Sequence, residues 1–247
     1  MSPQVISPQA PQVRVVTLKI DGRDIGATED ETILEVARQN GIDIPTLCFL
    51  EGLSGIGACR LCLVEIKGTP KLLPACVTRV QEGMEVTTNS ESLQRYRKTI
   101  IELLFSERNH VCSVCVSNGH CELQAMAQKL GVTHVHLPYR YPKLTVDATH
   151  LRFVQDDNRC ILCQRCVRAC DEIEGAHTWD LMGRGIDCRV ITDLNQAWGD
   201  SNTCTGCGKC VQICPTGALT EKGRSTAEMV KKQQFVQYLT SMREAQR

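Results

Sequence analysis

Residues 160–170 read CILCQRCVRAC, and residues 204–215 read CTGCGKCVQICP. Each stretch has three cysteines at two-residue gaps and a fourth cysteine after three more residues. This is the spacing with which thiolates hold pairs of [4Fe–4S] clusters, and the fourth cysteine of each stretch then ligates the cluster of the other stretch. We therefore predict two four-iron clusters, one with the ligands Cys160, Cys163, Cys166 and Cys214 and one with Cys204, Cys207, Cys210 and Cys170.

Two other uses of closely spaced cysteines compete with this interpretation. Zinc ribbons also repeat Cys-x2-Cys pairs, but each stretch here has more cysteines than a ribbon knuckle needs. Disulfides are typical of small secreted chains, and residues 1–12 lack the positive start and the apolar centre of a signal peptide. We therefore expect a reducing compartment, the cytoplasm, with peripheral attachment to a membrane as the alternative.

A second group of cysteines lies near the N-terminus. The segment at 53–59, LSGIGAC, is rich in glycine, so its backbone can wrap closely around a small cluster and direct N–H groups at the sulfurs. The spacing differs from that of plant-type [2Fe–2S] proteins in its first gap. The predicted [2Fe–2S] ligands are Cys48, Cys59, Cys62 and Cys76.

The sequence around these cysteines predicts a β-grasp domain. Residues 13–20 alternate between apolar and polar side chains, and Asp21-Gly22 is a hairpin signal. A helix follows, with a capping box of Thr28 and Glu31 at its start and Gly41 at its end. Further strands are predicted at 61–67, 71–80 and 84–88.

The third group of cysteines predicts another [4Fe–4S] cluster. Cys112, Cys115 and Cys121 cannot complete a four-iron site alone, and His110 is the nearest candidate for the fourth ligand. His120, a water molecule or a degraded three-iron site are the alternatives. An amphipathic helix leads to this group, and its predicted apolar face consists of Leu93, Tyr96, Ile100, Ile101 and Leu104.

One cysteine and several histidines remain outside these groups. Cys188 lies in a predicted inserted strand at 185–191, and we expect it to be a small core residue. Gly55 and Gly57 lack the third glycine of a dinucleotide-binding fingerprint. The sequence therefore indicates neither a catalytic residue nor a cofactor site beyond the clusters. The histidines without cysteine neighbours are His134, His136, His150 and His177.

The composition of the chain limits which kinds of partner it can have. The chain has 28 basic and 28 acidic residues, and no apolar run approaches the roughly 18 residues that cross a membrane. It also has no basic tract that would favour nucleic acid. We therefore expect no transmembrane segment and no nucleic-acid partner. Only 4% of the residues are aromatic, so the clusters must contribute to stability.

The predicted fold class is α+β, with five parts along the chain. The last part is a charged helix whose interrupted apolar stripe packs on its own domain or on a partner. The parts are a flexible tail at 1–12, a [2Fe–2S] domain at 13–92, a histidine-plus-three-cysteine [4Fe–4S] domain at 93–150, a two-cluster ferredoxin domain at 151–223 and a C-terminal helix at 224–247.

Residues 13–222 resemble the N-terminal part of the complex I subunit NuoG. The chain is more similar still to the HoxU-type diaphorase subunits of bidirectional NAD-reducing nickel–iron hydrogenases. The short His110-x-Cys112 opening, the Cys121-Glu-Leu-Gln run and the length carry this resemblance. Related subunits of complex I, formate dehydrogenases and iron-only hydrogenases hold one cluster with a histidine and three cysteines, although there the opening is His-x3-Cys.

The resemblance implies an electron-transfer subunit without substrate chemistry of its own. Its partners would be a flavin- and NAD-binding diaphorase subunit, the small subunit of a nickel–iron hydrogenase pair and a ferredoxin. The whole complex would catalyse H2 + NAD+ = NADH + H+ reversibly. The cofactors would be one [2Fe–2S] and three [4Fe–4S] clusters, about fourteen irons per chain.

Two alternatives stay open. The same relay could serve a formate dehydrogenase or an electron-bifurcating NADP-linked hydrogenase. In a different class, the chain could be a free-standing ferredoxin-like carrier or an iron-dependent redox sensor that binds its partners transiently.

Overall fold

The computed structural model describes residues 14–245, and the chain divides into two compact units. Of the described residues, 14–44 and 63–89 form the first unit. Residues 45–62 and 90–245 form the second unit. The predicted tail at 1–12 lies outside the described residues. The domain boundaries placed after 92, 150 and 223 stay predictions.

The first unit is built on a mixed five-stranded sheet in the order β2-β1-β5-β3-β4. β1 and β5 are parallel, whereas the other neighbouring pairs are antiparallel. One helix, α1, accompanies the sheet. The elements are β1 Val15–Ile20, β2 Arg23–Thr28, α1 Ile33–Gln39, β3 Leu63–Ile66, β4 Leu73–Pro74 and β5 Glu85–Thr87.

The hairpin between β1 and β2 is confirmed. Asp21 and Gly22 form its two-residue turn, and both have positive φ values of 49° and 80°. Such a turn matches the twist of the strands. The Asp21 carboxylate also accepts hydrogen bonds from the Thr88 N–H at 2.8 Å and the Thr88 hydroxyl at 2.5 Å. These hydrogen bonds hold the turn against Thr88, the residue that follows β5.

Helix α1 begins one turn later than predicted. Its capping box consists of Thr32 and Glu35, so the prediction of Thr28 and Glu31 as the cap was wrong. Those two residues do pair, since the Thr28 N–H and hydroxyl donate to Glu31 at 2.8 Å. That contact lies in the turn after β2. The helix is capped by a second Thr-x2-Glu pattern, which follows at once and directly precedes the buried apolar residues. Gly41 follows the helix with φ of 70°.

The second unit contains most of the helices and two smaller sheets. One sheet has the order β10-β7-β6, and the other is the hairpin of β8 and β9. Its elements are α2 Glu91–Glu107, α3 Glu122–Lys129, β6 Val146–Asp147, β7 Phe153–Asp156, α4 Arg165–Arg168, β8 Trp179–Met182, β9 Arg189–Thr192, α5 Lys209–Ile213, β10 Leu219–Glu221, α6 Thr226–Met229 and α7 Phe235–Glu244.

Helix α2 buries most of the predicted apolar face, since Ile100 and Leu104 are partly buried and pack against the core. Leu93 and Ile101 are fully buried, as expected, but Tyr96 is 51% exposed. The buried position between them is Arg97, whose Nε donates to the Leu61 carbonyl at 3.1 Å. Residues 93, 97 and 101 recur every four positions and so share one face of the helix. The long side chain of Arg97 can be buried there because its polar end has an acceptor.

The predicted C-terminal helix is two helices. Val230 has φ of 46°, a left-handed conformation that ends α6. The next residue, Lys231, donates from its ammonium group to the carbonyls of Cys214 at 2.6 Å and Thr216 at 3.3 Å. This attachment explains the break, because a continuous helix would carry Lys231 away from those acceptors.

Helix α7 docks on its own unit, which was one of the two predicted arrangements. Val236 is fully buried and packs with Leu53, Ile173 and Ile213. A Cβ atom on Gly52 would lie 2.9 Å from the Cα atom of Gln237. Gly52 therefore allows the backbone of α7 to approach the 45–62 segment closely.

Cys188 is half-buried, so its placement in the core was wrong. It lies between a 3-10 turn at Gly185–Asp187 and the start of β9. Its carbonyl accepts a hydrogen bond of 2.6 Å from the buried Arg108. In the described part of the chain, no helix is long and apolar enough to cross a membrane.

Two adjacent valines of β1 provide a stability test of the first unit. Val16 is 5% exposed, whereas Val15 is 71% exposed. Val16→Ala should lower the free energy of unfolding by about 2 kcal/mol, because it removes buried methyl groups and leaves a cavity. The matched Val15→Ala should cost less than about 1 kcal/mol. Equal shifts of the urea midpoint, followed by circular dichroism, would contradict this packing.

Candidate iron–sulfur sites

The first predicted four-iron ligand set surrounds a single cavity. Cys160, Cys163, Cys166 and Cys214 line it together with Pro215 and Thr216. The first three cysteines come from the loop before α4 and from α4 itself, whereas Cys214 directly follows α5. The fold therefore brings the fourth cysteine of one stretch to the first three of the other.

The second four-iron ligand set has the reciprocal arrangement. Cys170, Cys204, Cys207 and Cys210 line a separate cavity. Trp179 and Trp198 form part of its wall, and the Trp198 indole N–H donates to the Cys204 Sγ at 3.3 Å. Sequence spacing had not indicated either tryptophan.

The two ferredoxin loops have the same backbone conformation although their sequences differ at the positions that adopt it. Gly206 and Gly208 have positive φ values of 67° and 75°, as glycines readily do. The equivalent positions in the first loop are Leu162 and Gln164, with φ values of 52° and 58°. The first loop thus adopts left-handed turns with side chains for which they are unfavourable. In this conformation the Leu162 N–H donates a hydrogen bond to the Cys160 Sγ at 3.4 Å.

The third predicted set also surrounds a cavity. His110, Cys112, Cys115 and Cys121 line it, together with Ser117, Arg159 and Gly217. His120 is exposed and does not line this cavity. The structure therefore favours His110 over His120 as the fourth ligand.

The imidazole of His110 has the state that a metal ligand requires. Its Nε2 atom is buried and has no hydrogen-bond partner, while the ring bonds to the Leu104 carbonyl. The bonded nitrogen is therefore Nδ1. Burial, followed by the charges of Arg159 and Arg108, lowers the pKa of His110 to about 4. A neutral imidazole with one oriented nitrogen and one free nitrogen is the usual form of a ligating histidine.

The thiols fit the same chemistry. Burial raises the pKa of Cys163 to about 11 and that of Cys121 to about 11. It also raises the pKa of Cys160, Cys166 and Cys210. These groups are thus protonated without metal, and binding iron as thiolates would release protons.

Three of the four predicted [2Fe–2S] ligands lie in the 45–62 segment of the second unit. Cys48 and Cys62 are buried, and the Leu47 N–H donates to the Cys59 Sγ at 3.5 Å. A hydrogen bond with Cys48, and then burial, raises the pKa of Cys59. The fourth predicted ligand, Cys76, is buried in the first unit after β4.

Within residues 14–245, no three or more His, Cys, Asp or Glu side chains converge on a point that would hold one metal ion. The ligands of the three predicted four-iron sites stand around cavities instead. Cys188 lines none of these three.

Two contacts link the histidine-containing site to the site that Cys214 lines. The Glu122 N–H donates to the Pro215 carbonyl at 2.8 Å, and these residues directly follow Cys121 and Cys214. A Cβ atom on Gly217 would lie only 2.8 Å from the Cys115 Sγ. The spacing of the cysteines gave no signal for Gly217, because its role depends on a loop that is distant in sequence.

Family models match three successive parts of the chain. Residues 13–91 match a 2Fe-2S iron-sulfur cluster binding domain. Residues 97–136 match the NADH-ubiquinone oxidoreductase-G iron-sulfur binding region. Residues 152–220 match the NADH-quinone oxidoreductase subunit 3, ferredoxin-like domain.

Curated proteins and a solved structure extend these matches. The NAD-reducing hydrogenase HoxS subunit gamma of Cupriavidus necator is 35% identical over 84% of this chain and 87% of its own length. The NADPH-Fe(3+) oxidoreductase subunit alpha of Geobacter sulfurreducens is 39% identical, but the chain spans only 24% of that protein. A chain of an NAD+-reducing [NiFe]-hydrogenase in the H2-reduced state superposes with a TM-score of 0.80. It is 37% identical, and the match covers 85% of this chain and 89% of that one.

The two neighbouring histidines allow a paired ligand test. His110→Ala should abolish one four-iron cluster and lower the iron content by about four per chain, because three cysteines remain at that site. His120→Ala should leave iron content and spectrum unchanged, because that ring is exposed. Iron analysis and electron paramagnetic resonance of anaerobically prepared protein measure both. Iron loss in the His120 variant alone would identify His120, and not His110, as the fourth ligand.

Gly217 allows a steric test. Gly217→Ala should weaken or displace the cluster at the histidine-containing site, because the new methyl group meets the Cys115 sulfur and a ligating sulfur cannot move away. Gly26→Ala is the control, since a Cβ atom there has no neighbour within 4 Å. An unchanged resonance signal of the histidine-ligated cluster in the Gly217 variant would show that the space is not needed.

Proposed function

Because the chain belongs to the family of iron–sulfur subunits that includes the gamma subunit of the HoxS NAD-reducing hydrogenase, we propose that it relays electrons inside such an enzyme. The chain is a subunit of an oxidoreductase complex. On this proposal the electrons pass between a flavin- and NAD(H)-binding diaphorase subunit and a nickel–iron hydrogenase module. The complex would couple H2 oxidation to NAD+ reduction, reversibly.

The observation that carries the proposal is the grouping of ligands from different sites in common apolar clusters. Cys166, Cys210 and Cys214 lie in one buried cluster, with Cys160, Cys170 and Cys204 packed against it. Cys48 and Cys163 lie in another, with Cys59 and Cys121 packed against it. The ligands proposed for this first four-iron cluster thus pack in the same apolar clusters as ligands proposed for each of the other three.

Such adjacency suits the chemistry that iron–sulfur clusters supply, which is one-electron transfer over short distances. The residues of this chain would hold the clusters, exclude water and tune the potentials through N–H···S hydrogen bonds and burial. We propose one [2Fe–2S] cluster on Cys48, Cys59, Cys62 and Cys76, and three [4Fe–4S] clusters on the sets defined above. In this proposal no residue of the chain acts on a substrate.

None of the sixteen cysteines, all of which lie within residues 14–245, forms a disulfide, which is consistent with a reducing compartment. A cytoplasmic location is therefore part of the proposal.

Composition of the native complex tests this function. The chain should be isolated anaerobically from its host and passed over a size-exclusion column at high salt. We expect it to elute with partner subunits, nickel, flavin and about fourteen irons per copy of this chain beyond those of the partners, and the fraction should reduce NAD+ with H2. Elution of the chain alone would favour a free-standing carrier, and colourless, zinc-containing protein would exclude a relay.

A second candidate function is the same relay in an NADP-linked enzyme. It is favoured by relatives of comparable identity, such as the NADP-reducing hydrogenase subunit HndD of Solidesulfovibrio fructosivorans at 37%. However, the chain spans only 36% of that protein. Comparing H2-dependent reduction of NAD+ and NADP+ by the same fraction separates the two candidates.

A further inference from the structure

Arg168 is a buried cation held entirely by backbone carbonyls. It is the last residue of α4 and is 6% exposed. Its Nη2 donates to the carbonyl of Cys48 at 2.5 Å and to that of Cys163 at 3.2 Å. Its Nη1 donates to the carbonyl of Ser54 at 2.6 Å, and its Nε donates to that of Gln164 at 3.3 Å.

These acceptors belong to two different ligand loops. Cys48 and Ser54 are in the segment that carries three predicted [2Fe–2S] ligands, whereas Cys163 and Gln164 are in the first ferredoxin loop. The two loops are more than 100 residues apart in sequence. One guanidinium therefore connects a ligand of one proposed cluster to a ligand of another.

The positive charge of Arg168 has no carboxylate among its four acceptors. The nearby groups that favour its charged form are Cys163, Cys48 and the carboxylate of Glu172, and the two cysteines would become negatively charged on binding iron as thiolates. Arg165, one turn earlier on α4, differs in this respect, because it forms a two-pronged ion pair with Glu122 at 2.8 and 2.9 Å. An arginine keeps its charge in a protein, and a buried charge requires an opposite charge nearby.

We infer that Arg168 is a positioning residue that clamps the Cys48 loop to the Cys163 loop and raises the reduction potential of the clusters on both. This inference rests on the ligand sets of the proposed function. A cluster gains one negative charge when it is reduced. A fixed cation close to it in a region of low dielectric constant therefore stabilises the reduced form. The same charge acts on both sites because the guanidinium lies against a ligand of each.

Substitution of Arg168 in the native complex tests this role. Arg168→Gln and Arg168→Met remove the charge, and Arg168→Lys keeps it but loses the fork of donors. Redox titrations followed by electron paramagnetic resonance would give the midpoint potentials of both clusters. In the neutral variants we expect both midpoint potentials to fall. The equilibrium constant for reduction of each cluster should decrease at least tenfold, which corresponds to a fall of about 59 mV for one electron. The lysine variant should keep both potentials near those of the unmodified protein.

Arg60 supplies a matched control. It lies between Cys59 and Cys62 in the same segment and is exposed. Arg60→Gln makes the same change of charge beside the [2Fe–2S] ligands, but in contact with water, so its shift should be much smaller. If Arg60→Gln lowers the [2Fe–2S] potential as much as Arg168→Gln does, the buried position of Arg168 has no special effect and the inference fails.

The remaining outcomes are also decisive. Unchanged potentials in a neutral variant that holds its full iron content would overturn the inference, and so would equal shifts in the lysine and glutamine variants. If the neutral variants cannot hold the two clusters while the lysine variant holds both at the original potentials, a positive charge is required there and the inference stands. If the lysine variant also loses them, the hydrogen bonds alone explain the residue and the electrostatic role fails.

Failure of the proposed function would look different from failure of this inference. A missing hydrogenase partner would leave the clusters, and so the potentials, measurable in the isolated chain. Absence of iron in the unmodified protein would be seen before any variant is compared.

Discussion

Burial of cysteine and histidine side chains around internal cavities is the constraint on which the second unit depends. Thiols such as Cys160 and Cys166 have raised pKa values because the fold removes them from water. Side chains do not fill the spaces between them. Close packing of apolar side chains normally stabilises a protein interior. In this chain, inorganic clusters would supply the missing contacts, which couples folding to cluster binding.

Two of the three cavities lie close together. The cavity lined by His110 and the cavity lined by Cys214 are linked by the bond from the Glu122 N–H to the Pro215 carbonyl and by the approach of Gly217 to the Cys115 sulfur. Two arginines of the same helix lie between sites but differ in charge balance. Arg165 is paired with the carboxylate of Glu122, whereas Arg168 donates hydrogen bonds to backbone carbonyls. Both arginines therefore connect distant segments, and in our inference Arg168 also raises the reduction potentials of the clusters beside it.

Local patterns predicted many of the elements and failed where two patterns competed. The Asp21-Gly22 hairpin and the helix ending before Gly41 were correct, because turn residues act over a few positions. The start of α1 was misplaced by one turn, because Thr28-x2-Glu31 and Thr32-x2-Glu35 are both capping patterns and only the buried residues that follow decide between them. Tyr96 was wrongly assigned to the buried face of α2. The neighbouring Arg97 is buried instead, and its burial depends on an acceptor, the Leu61 carbonyl, in a distant segment.

The sequence by itself determined the kind of chemistry, and it predicted which cysteines line a common cavity. Cysteine spacing is a covalent property, and gaps of two residues allow few geometries other than a loop around a cluster. Tertiary structure decided what spacing cannot predict. His110, and not His120, lines the cavity; Val230 divides the last helix; and Arg168 reaches the Cys48 carbonyl. The physical reason is that each of these depends on which distant backbone atoms lie within hydrogen-bonding distance, and only the folded chain brings them there.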